Sequence, residues 1–359
     1  MFEMDHEFFM RAAIKEAKKG FGKTSPNPCV GAVIVKNGEI IGSGYHEKAG
    51  GDHAEVAAIK NSPDVRGATM YVTMEPCCHF GKTPPCVDAL LKAGIKEVFV
   101  AHKDPSKKVN GKGIKFLKKN GVEVHVGLLE KESSGLNQPF LKVSKISMPF
   151  VTVKAGISLD GKISTGKGKS EWITNELSRK HGHKLRDFYD AIVVGANTVI
   201  IDNPVLAGKD GKLLRVIIDG KLRTLTDAKV YRDGNVFVAC ADSAGKEKFK
   251  KFIRAGIKIK SFGKEKVDIK KLLKFLLKEY SVQSVFVEGG GATNGTFADA
   301  KVLDDVYFYI SPEIIGGEKA IGVFGGVGAV NKKSFVKIKK VEISRLKSDI
   351  LIHGIINEY

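Results

Sequence analysis

His53-Ala54-Glu55 and, twenty residues on, Glu75-Pro76-Cys77-Cys78-His79-Phe80-Gly81-Lys82-Thr83-Pro84-Pro85-Cys86 are the stretches on which the reading of this chain turns. One imidazole and two thiols suit zinc, which takes four ligands in a tetrahedron. Three protein ligands leave the fourth position to water, as a catalytic rather than a structural site does. A carboxylate two residues after the histidine is placed to take a proton from that water and deliver it elsewhere. The same stretches assign local structure. Val56, Ala57 and Ile59 continue His53 into a helix, residues 68–73 read as a strand, and residues 84–93 read as a helix opened by proline. His53 and Cys86 then stand at helix starts, where free N–H groups and the helix dipole favour thiolate.

Working outward, residues 5–20 read as an amphipathic helix with Phe8, Phe9, Ala12, Ala13 and Ile14 on one side. Residues 29–35 read as a buried strand, Asn37-Gly38 as a hairpin turn and residues 40–45 as the return strand. Strands at 98–101 and 122–126 flank a helix at 113–120. Strands alternating with helices predict an α/β layer fold. Residues 140–149 read as a short connector, and a second α/β unit begins after Met148-Pro149. Its strands are expected at 150–154, 191–194, 214–218, 235–238, 284–287 and 306–310. The predicted organisation is two domains, 1–145 and 146–359, which suits a length of 359 residues.

A hydrophobic fraction of 43% excludes a disordered chain. No apolar run approaches the ~20 residues of a membrane span, and the N-terminus lacks the basic and apolar regions of a secretory signal. Of five cysteines, three crowd into residues 77–86, which favours metal over disulfides and a reducing compartment, the cytoplasm. Cys29 and Cys240 lie in apolar strands and read as inert core residues. The net charge of +19 has two readings: a surface for nucleic acid or phosphorylated substrates, or lysine-rich solvated helices. The lysines are dispersed along the chain, which favours the second. At the metal, Cys78 or His79 as a fourth ligand would close the site and make it structural; Glu55 would then have no role.

Ser25-Pro26-Asn27-Pro28-Cys29-Val30-Gly31-Ala32-Val33, His53-Ala54-Glu55 and the run from Glu75 to Cys86 resemble the deaminase half of bifunctional riboflavin biosynthesis proteins, as does Lys103-Asp104-Pro105. The nine-position spacing of Cys77 and Cys86 is that family's, wider than in cytidine and tRNA deaminases. Lys154 to Lys162, Ser170-Glu171-Trp172-Ile173-Thr174, Gly195-Ala196-Asn197-Thr198-Val199, Asp202-Asn203-Pro204 and Val287-Glu288-Gly289-Gly290-Gly291 resemble its reductase half. The resemblance implies a cytidine-deaminase-like α/β/α layer domain followed by a dihydrofolate-reductase-like α/β domain. It implies zinc-dependent deamination of 2,5-diamino-6-(5-phosphoribosylamino)pyrimidin-4-one, then NADPH-dependent reduction of the ribosyl chain to ribityl.

Carried over by position, His53, Cys77 and Cys86 hold one zinc ion and Glu55 moves protons, while Asn27, His46, His79 and Lys82 line the deaminase substrate site. In the reductase, Lys154 assists the opened ribose or anchors phosphate. Ser170, Arg186, Leu206, Lys209 and Glu288 meet substrate, and Ile157, Trp172, Thr198, Asp202, Gly289, Gly290 and Gly291 meet NADPH. One departure stands out: the family usually carries threonine and then arginine after Leu206, where this chain has Ala207-Gly208-Lys209. Lys209 keeps the charge without the bidentate fork. The glycine run is not a Gly-x-Gly-x-x-Gly fingerprint, as Asn294 occupies the third glycine's place. The implied partner is a small phosphorylated pyrimidine, with no nucleic acid and no membrane, and the expected assembly is a homo-oligomer. A deaminase acting on tRNA or single-stranded nucleic acid is the competing reading; the long insert and the second domain weigh against it.

Overall fold

The computed structural model describes residues 5–81, 83–165, 171–208 and 210–359. Lys82, Ser170 and Lys209 lie outside the described residues. The chain divides into two compact units, residues 1–147 with Tyr359, and residues 148–358.

In the first unit the elements run α1 (His6–Lys18), β1 (Gly31–Lys36), β2 (Glu39–Tyr45), α2 (Ala54–Lys60), β3 (Thr69–Val72), α3 (Cys86–Ala93), β4 (Glu97–Val100), α4 (Lys112–Lys119), β5 (Glu123–Val126), α5 (Glu130–Gly135) and α6 (Gln138–Ile146). The sheet order is β2-β1-β3-β4-β5; β1 is antiparallel to both neighbours, and β3, β4 and β5 are parallel. Asn37 and Gly38 both take positive φ, 54° and 83°, as a two-residue hairpin turn matched to strand twist requires. Side chains alternate across the pleat. Ala32, Ile34, Met70, Val72, Val98 and Val100 pack against α2, α3 and α4, while Val33, Val35, Tyr71 and Phe99 pack against α1. The result is an α/β/α layer. Residues 140–149 are not a plain connector: α6 occupies most of them, with proline in its first turn. Asn137 just before it receives the Cys29 N–H (2.7 Å) and donates to the Cys29 carbonyl (2.9 Å), tying α6 to the entry of β1.

The second unit runs β6 (Phe150–Ile157), β7 (Lys162–Ser164), α7 (Glu176–Leu185), β8 (Ala191–Gly195), α8 (Ala196–Asp202), β9 (Leu214–Ile218), β10 (Val236–Cys240), α9 (Lys246–Arg254), β11 (Lys258–Ser261), α10 (Ile269–Tyr280), β12 (Ser284–Val287), α11 (Gly291–Asp299), β13 (Asp305–Ile310), β14 (Ile321–Gly322), β15 (Lys340–Leu346) and β16 (Asp349–Ile355). Nine strands form one sheet in the order β11-β10-β9-β8-β12-β6-β13-β16-β15. It is parallel from β11 to β13 and closes with the antiparallel pair β16 and β15. Both faces are covered: Leu272, Leu273, Leu276 and Phe297 on one, Val199 and Phe252 on the other. The strands are therefore near-continuous apolar runs. The chain leaves β8 toward β9 on one side and β12 toward β13 on the other. A crevice opens between them at the strands' carboxyl ends, the place where open α/β sheets bind ligands.

The β15–β16 hairpin is absent from the sequence reading. Six of the seven β15 residues are exposed, Val341 and Ile343 among them, so the strand's alternation marks no core face. Among the described residues, no helix is long and apolar enough to cross a membrane.

Candidate active sites

The first site lies where β3 ends and α2 and α3 begin. His53 is the N-cap residue of α2 and makes no side-chain cap bond, so its ring is free to turn inward. Its Nδ1 lies 3.1 Å from Cys86 Sγ and 3.5 Å from Cys77 Sγ, and the two sulfurs are 3.4 Å apart. A tetrahedral zinc with bonds of about 2.0 Å to nitrogen and 2.3 Å to sulfur spreads its donors to about 3.5–3.8 Å. The observed set needs an opening of only a few tenths of an ångström, so these residues fit the ion. Cys86 opens α3 and its N–H donates to Cys77 Sγ (3.3 Å). The Cys77 thiol, stabilised as thiolate by the Cys86 thiol and by His53, is pushed down to about 4. Cys86 keeps the shared proton, its pKa pushed well up by the Cys77 sulfur and by burial. Thr83 Oγ1 stands 3.4 Å from His53 Nε2, positioned to orient the ring from its far side.

Glu55, in the first turn of α2, is 3% exposed and pairs with Cys86. Burial, then the Cys77 charge, raise its carboxyl to about 7. A cavity of about 560 Å³ opens over the cluster, and Asn27, His46, His53, Glu55, Cys77 and His79 all line it. His46 Nδ1 faces the Asp52 carbonyl (2.9 Å) and so carries its hydrogen; Nε2 then accepts from the Asn27 amide (3.0 Å). Burial keeps this ring below its ordinary pKa, in the neutral form. Among the described residues His79 Nδ1 has no hydrogen-bond partner, and it is buried beside the cavity. Cys78 is not brought into the donor group; the described residues gathered there are His53, Cys77 and Cys86 alone.

Three features of this cavity escaped the sequence. Glu75 is not at the metal. Its carboxylate receives the N–H groups of Asp104 (3.3 Å), Gly111 (2.9 Å) and Ile114 (3.2 Å), pinning the loop after β4. That loop presents Asp104, Ser106 and Lys108 to the cavity. Lys108 reads in sequence as one more solvated lysine, and Phe140 of α6, also in the wall, falls in the stretch read as connector.

The second site lies at the carboxyl ends of β6, β12 and β8. Lys154 is not at a strand-to-loop transition but in the middle of β6, which extends to Ile157. Its Nζ lies 3.6 Å from Glu288 Oε1 and over the Tyr309 ring. Gly182 of α7 makes room for it, since a Cβ there would meet Lys154 Cε at 2.9 Å. Arg186 donates to Glu288 from Nε (3.0 Å) and from Nη2. This guanidinium, expected at a substrate phosphate, is thus already half engaged by a carboxylate. Burial pushes the Glu288 carboxyl up, but Lys154 and Arg186 outweigh it and hold the group below its ordinary value. Lys154, Trp172, Arg186, Thr198, Asp202, Leu206, Glu288 and Gly289 line a chamber of about 910 Å³. Ile157 is buried at the end of β6 and lines neither this chamber nor its neighbour. Trp172 is no core residue: it is 76% exposed, with the Arg179 guanidinium 4.9 Å from its ring.

A neighbouring chamber of about 410 Å³ shares Thr198 and Asp202 and adds Gly290 and Gly291. Gly289 and Gly291 have no room for a side chain; added Cβ atoms would lie 2.4 Å from Thr293 Cβ and 2.3 Å from the Gly322 carbonyl oxygen. Gly290 is open and caps α11 without a side-chain bond, so bare N–H groups face the chamber. That is a seat for phosphate.

The family model described as the RibD C-terminal domain matches residues 149–352, and that of the cytidine and deoxycytidylate deaminase zinc-binding region matches residues 3–102. The chain is 40% identical over 356 residues to riboflavin biosynthesis protein RibD of Bacillus amyloliquefaciens, covering 97% of this chain and 96% of that one. It is 34% identical to the Escherichia coli protein of the same name, over 98% and 99% of the two chains. Among solved structures, Acinetobacter baumannii RibD superposes with a TM-score of 0.87 at 34% identity, covering 98% of this chain and 99% of that chain. The diaminohydroxyphosphoribosylaminopyrimidine deaminase/5-amino-6-(5-phosphoribosylamino)uracil reductase of Thermotoga maritima gives 0.83 at 36%, covering 98% of each.

Proposed function

Since the chain belongs to the RibD family of bifunctional riboflavin biosynthesis proteins, we propose that its two sites catalyse successive steps on one phosphorylated pyrimidine. The single observation that carries this is the coexistence of an open His-Cys-Cys cluster beside buried Glu55 with a separate Lys154–Glu288 chamber flanked by a bare glycine-rich helix start.

The first unit deaminates 2,5-diamino-6-(5-phosphoribosylamino)pyrimidin-4-one. His53, Cys77 and Cys86 hold zinc, which when bound supplies an acidified water at neutral pH. Glu55 takes a proton from the attacking water and gives it to the ring nitrogen beside the attacked carbon. It carries a second proton to the amino group, which leaves as ammonia. Asn27, fixed by His46, and His79 orient the ring. Asp104, Ser106 and Lys108 complete the cavity wall, and Lys82 serves the substrate phosphate.

The second unit reduces the deaminated ribotide, and NADPH when bound supplies the hydride. Lys154 gives its proton to the ribose ring oxygen as that oxygen leaves C1′, and Glu288 holds the ammonium in place. Arg186 and Leu206 meet the substrate, as Ser170 and Lys209 do by the resemblance; Trp172, Thr198, Asp202 and Gly289 to Gly291 hold the cofactor. A coupled assay tests the whole reading: ammonia release from the diaminopyrimidinone ribotide, then NADPH oxidation. Failure of NADPH oxidation with the deaminated ribotide would remove the second-unit assignment.

Trp172 offers a direct check. It is the chain's one tryptophan and it lines the chamber. NADPH is expected to quench its fluorescence by energy transfer to the dihydronicotinamide, whereas AMP leaves it bright. Quenching by both equally, or by neither, would take Trp172 out of the cofactor site. We further propose a cytoplasmic homo-oligomer. Reduced thiols at the metal support the compartment, and exposed Val341 and Ile343 on edge strand β15 support assembly.

A further inference from the structure

We propose that Arg215, buried behind the reductase chamber, is a positioning residue that holds the chain before Leu206 in its substrate-binding shape. The inference rests on the reductase reading above and deepens it. The run from Asn203 turns out of α8, and its residues Pro204, Val205, Leu206 and Ala207 all line the chamber of about 910 Å³. Two residues of this run hold left-handed backbone, Asn203 at φ 41° and Leu206 at φ 56°. Asparagine visits that region readily, and here it ends α8 with its Oδ1 accepting the Lys229 N–H (2.9 Å). Leucine does not, because its Cβ crowds the following carbonyl oxygen. A leucine keeps such a conformation only where its surroundings over-determine it. The side chain supplies one restraint, since Leu206 is buried and packs in one cluster with Val199, Leu213 and Ile217. The peptide before it supplies the other: its carbonyl, that of Val205, accepts from Arg215 Nη1 (3.3 Å).

Arg215 stands in β9 and is 2% exposed. A charge buried that deeply carries a desolvation cost that an apolar side chain of the same volume would avoid, so packing alone does not account for it. Its donors reach backbone on two segments. Nε donates to the Asn235 carbonyl (3.2 Å) and Nη1 to the Val205 carbonyl, while Nη2 pairs with Asp233. Asn235 in turn donates from Nδ2 to the carbonyls of Gly211 (3.1 Å) and Leu213 (3.0 Å), on the way into β9. Residues 229–235 thus form a fixed backing, and Arg215 bridges it to the peptide ahead of Leu206. A planar guanidinium holds two carbonyls in one fixed relation, which a single ammonium does not. Arg215 is not among the described residues that line either chamber, so its effect on reduction passes through Val205 and Leu206. Without the bridge, Leu206 relaxes toward ordinary backbone and the run leaves the substrate's place. Thr198 and Asp202 on α8 and Gly290 and Gly291 at the start of α11 stay where they are.

The test is steady-state reduction of the deaminated ribotide by the full chain, unmodified and as Arg215→Met, Arg215→Lys and Phe252→Leu, with a melting curve for each. Arg215→Met keeps the bulk and removes every donor. It should raise the KM for the ribotide about 10- to 100-fold, the worth of a hydrogen bond to a charged group. A contact remote from the reacting carbon is lost equally from ground and transition state. The kcat and the KM for NADPH should therefore each move less than about 3-fold. Arg215→Lys should fall between. Phe252→Leu thins the same core cluster from α9 and is the control: it should lower the melting temperature and leave both KM values alone. An unchanged ribotide KM in Arg215→Met would overturn the inference. So would equal rises for ribotide and NADPH, or the same split in Phe252→Leu. If Arg215→Met failed to fold, exposed Asp233 supplies the second arm. Asp233→Asn should raise the ribotide KM at least about 3-fold at constant NADPH KM, and no rise there would overturn the inference as well. An unmodified protein that reduces no ribotide would instead sink the reductase reading itself.

Discussion

Glu55→Ala is expected to lower ammonia release by about four orders of magnitude while zinc remains bound in stoichiometric amount. The carboxylate is buried at 3% exposure beside the metal donors but is not one of them, so its loss empties no coordination position. What disappears is the group proposed to move both protons of the attacking water. Thermal stability should hold or rise, because a buried carboxylate kept for chemistry carries a desolvation cost that alanine lacks. Reduction of already deaminated ribotide should be untouched, since the described residues that line the second chamber belong to the second unit. The measurements are ammonia release, metal content by mass spectrometry and NADPH oxidation on the same preparation. Retained deamination would remove the proton-carrier role; loss of zinc would make Glu55 part of the metal's support.

The second large effect falls on Glu288. This carboxylate accepts from Arg186 and faces the Lys154 ammonium at 3.6 Å, and its side chain is 9% exposed. Glu288→Gln keeps the volume and removes the charge, leaving two half-buried cations without the carboxylate they share. Removing one partner of a buried pair costs about 3–5 kcal/mol. Reduction should fall at least about 100-fold, because Lys154 loses the anchor that points it into the chamber. The pH dependence separates this from general damage. The Glu288 carboxyl is held below its ordinary value of 4.5 in the folded chain, so its stabilisation is complete above that value. It is lost as pH falls through the lower folded value. Glu288→Gln should therefore melt earlier at neutral pH but lose less of its stability on acidification than the unmodified chain. Parallel acid profiles would show that the three charges are not coupled.

The sequence alone determined the metal donors and the carboxylate beside them. His53, Glu55, Cys77 and Cys86 sit at fixed offsets, and only a few residue types bind zinc or carry protons. It also determined the layers, because apolar runs such as 31–36 and 284–287 and the Asn37-Gly38 turn are local signals with local causes. Even the unusual insert between Cys77 and Cys86 is a sequence property.

Only the tertiary structure decided which neutral-looking residues join the sites. Glu75 stands beside a metal-ligand residue yet holds the loop after β4, and nothing in the sequence says that residues 104–114 return to it. Gly182 clears a path for Lys154 from another element, and Arg186 is claimed by Glu288 across 102 residues. Arg223 was one of 59 basic residues until the fold set it in the wall of the glycine-lined chamber. The β15–β16 hairpin was passed over because β15 is exposed on both faces and its Val341–Ile343 alternation marks no core. Spacing along the chain reports chemistry that one segment can carry. Positions where segments distant in sequence converge are set by packing, and that information exists only once the chain has folded.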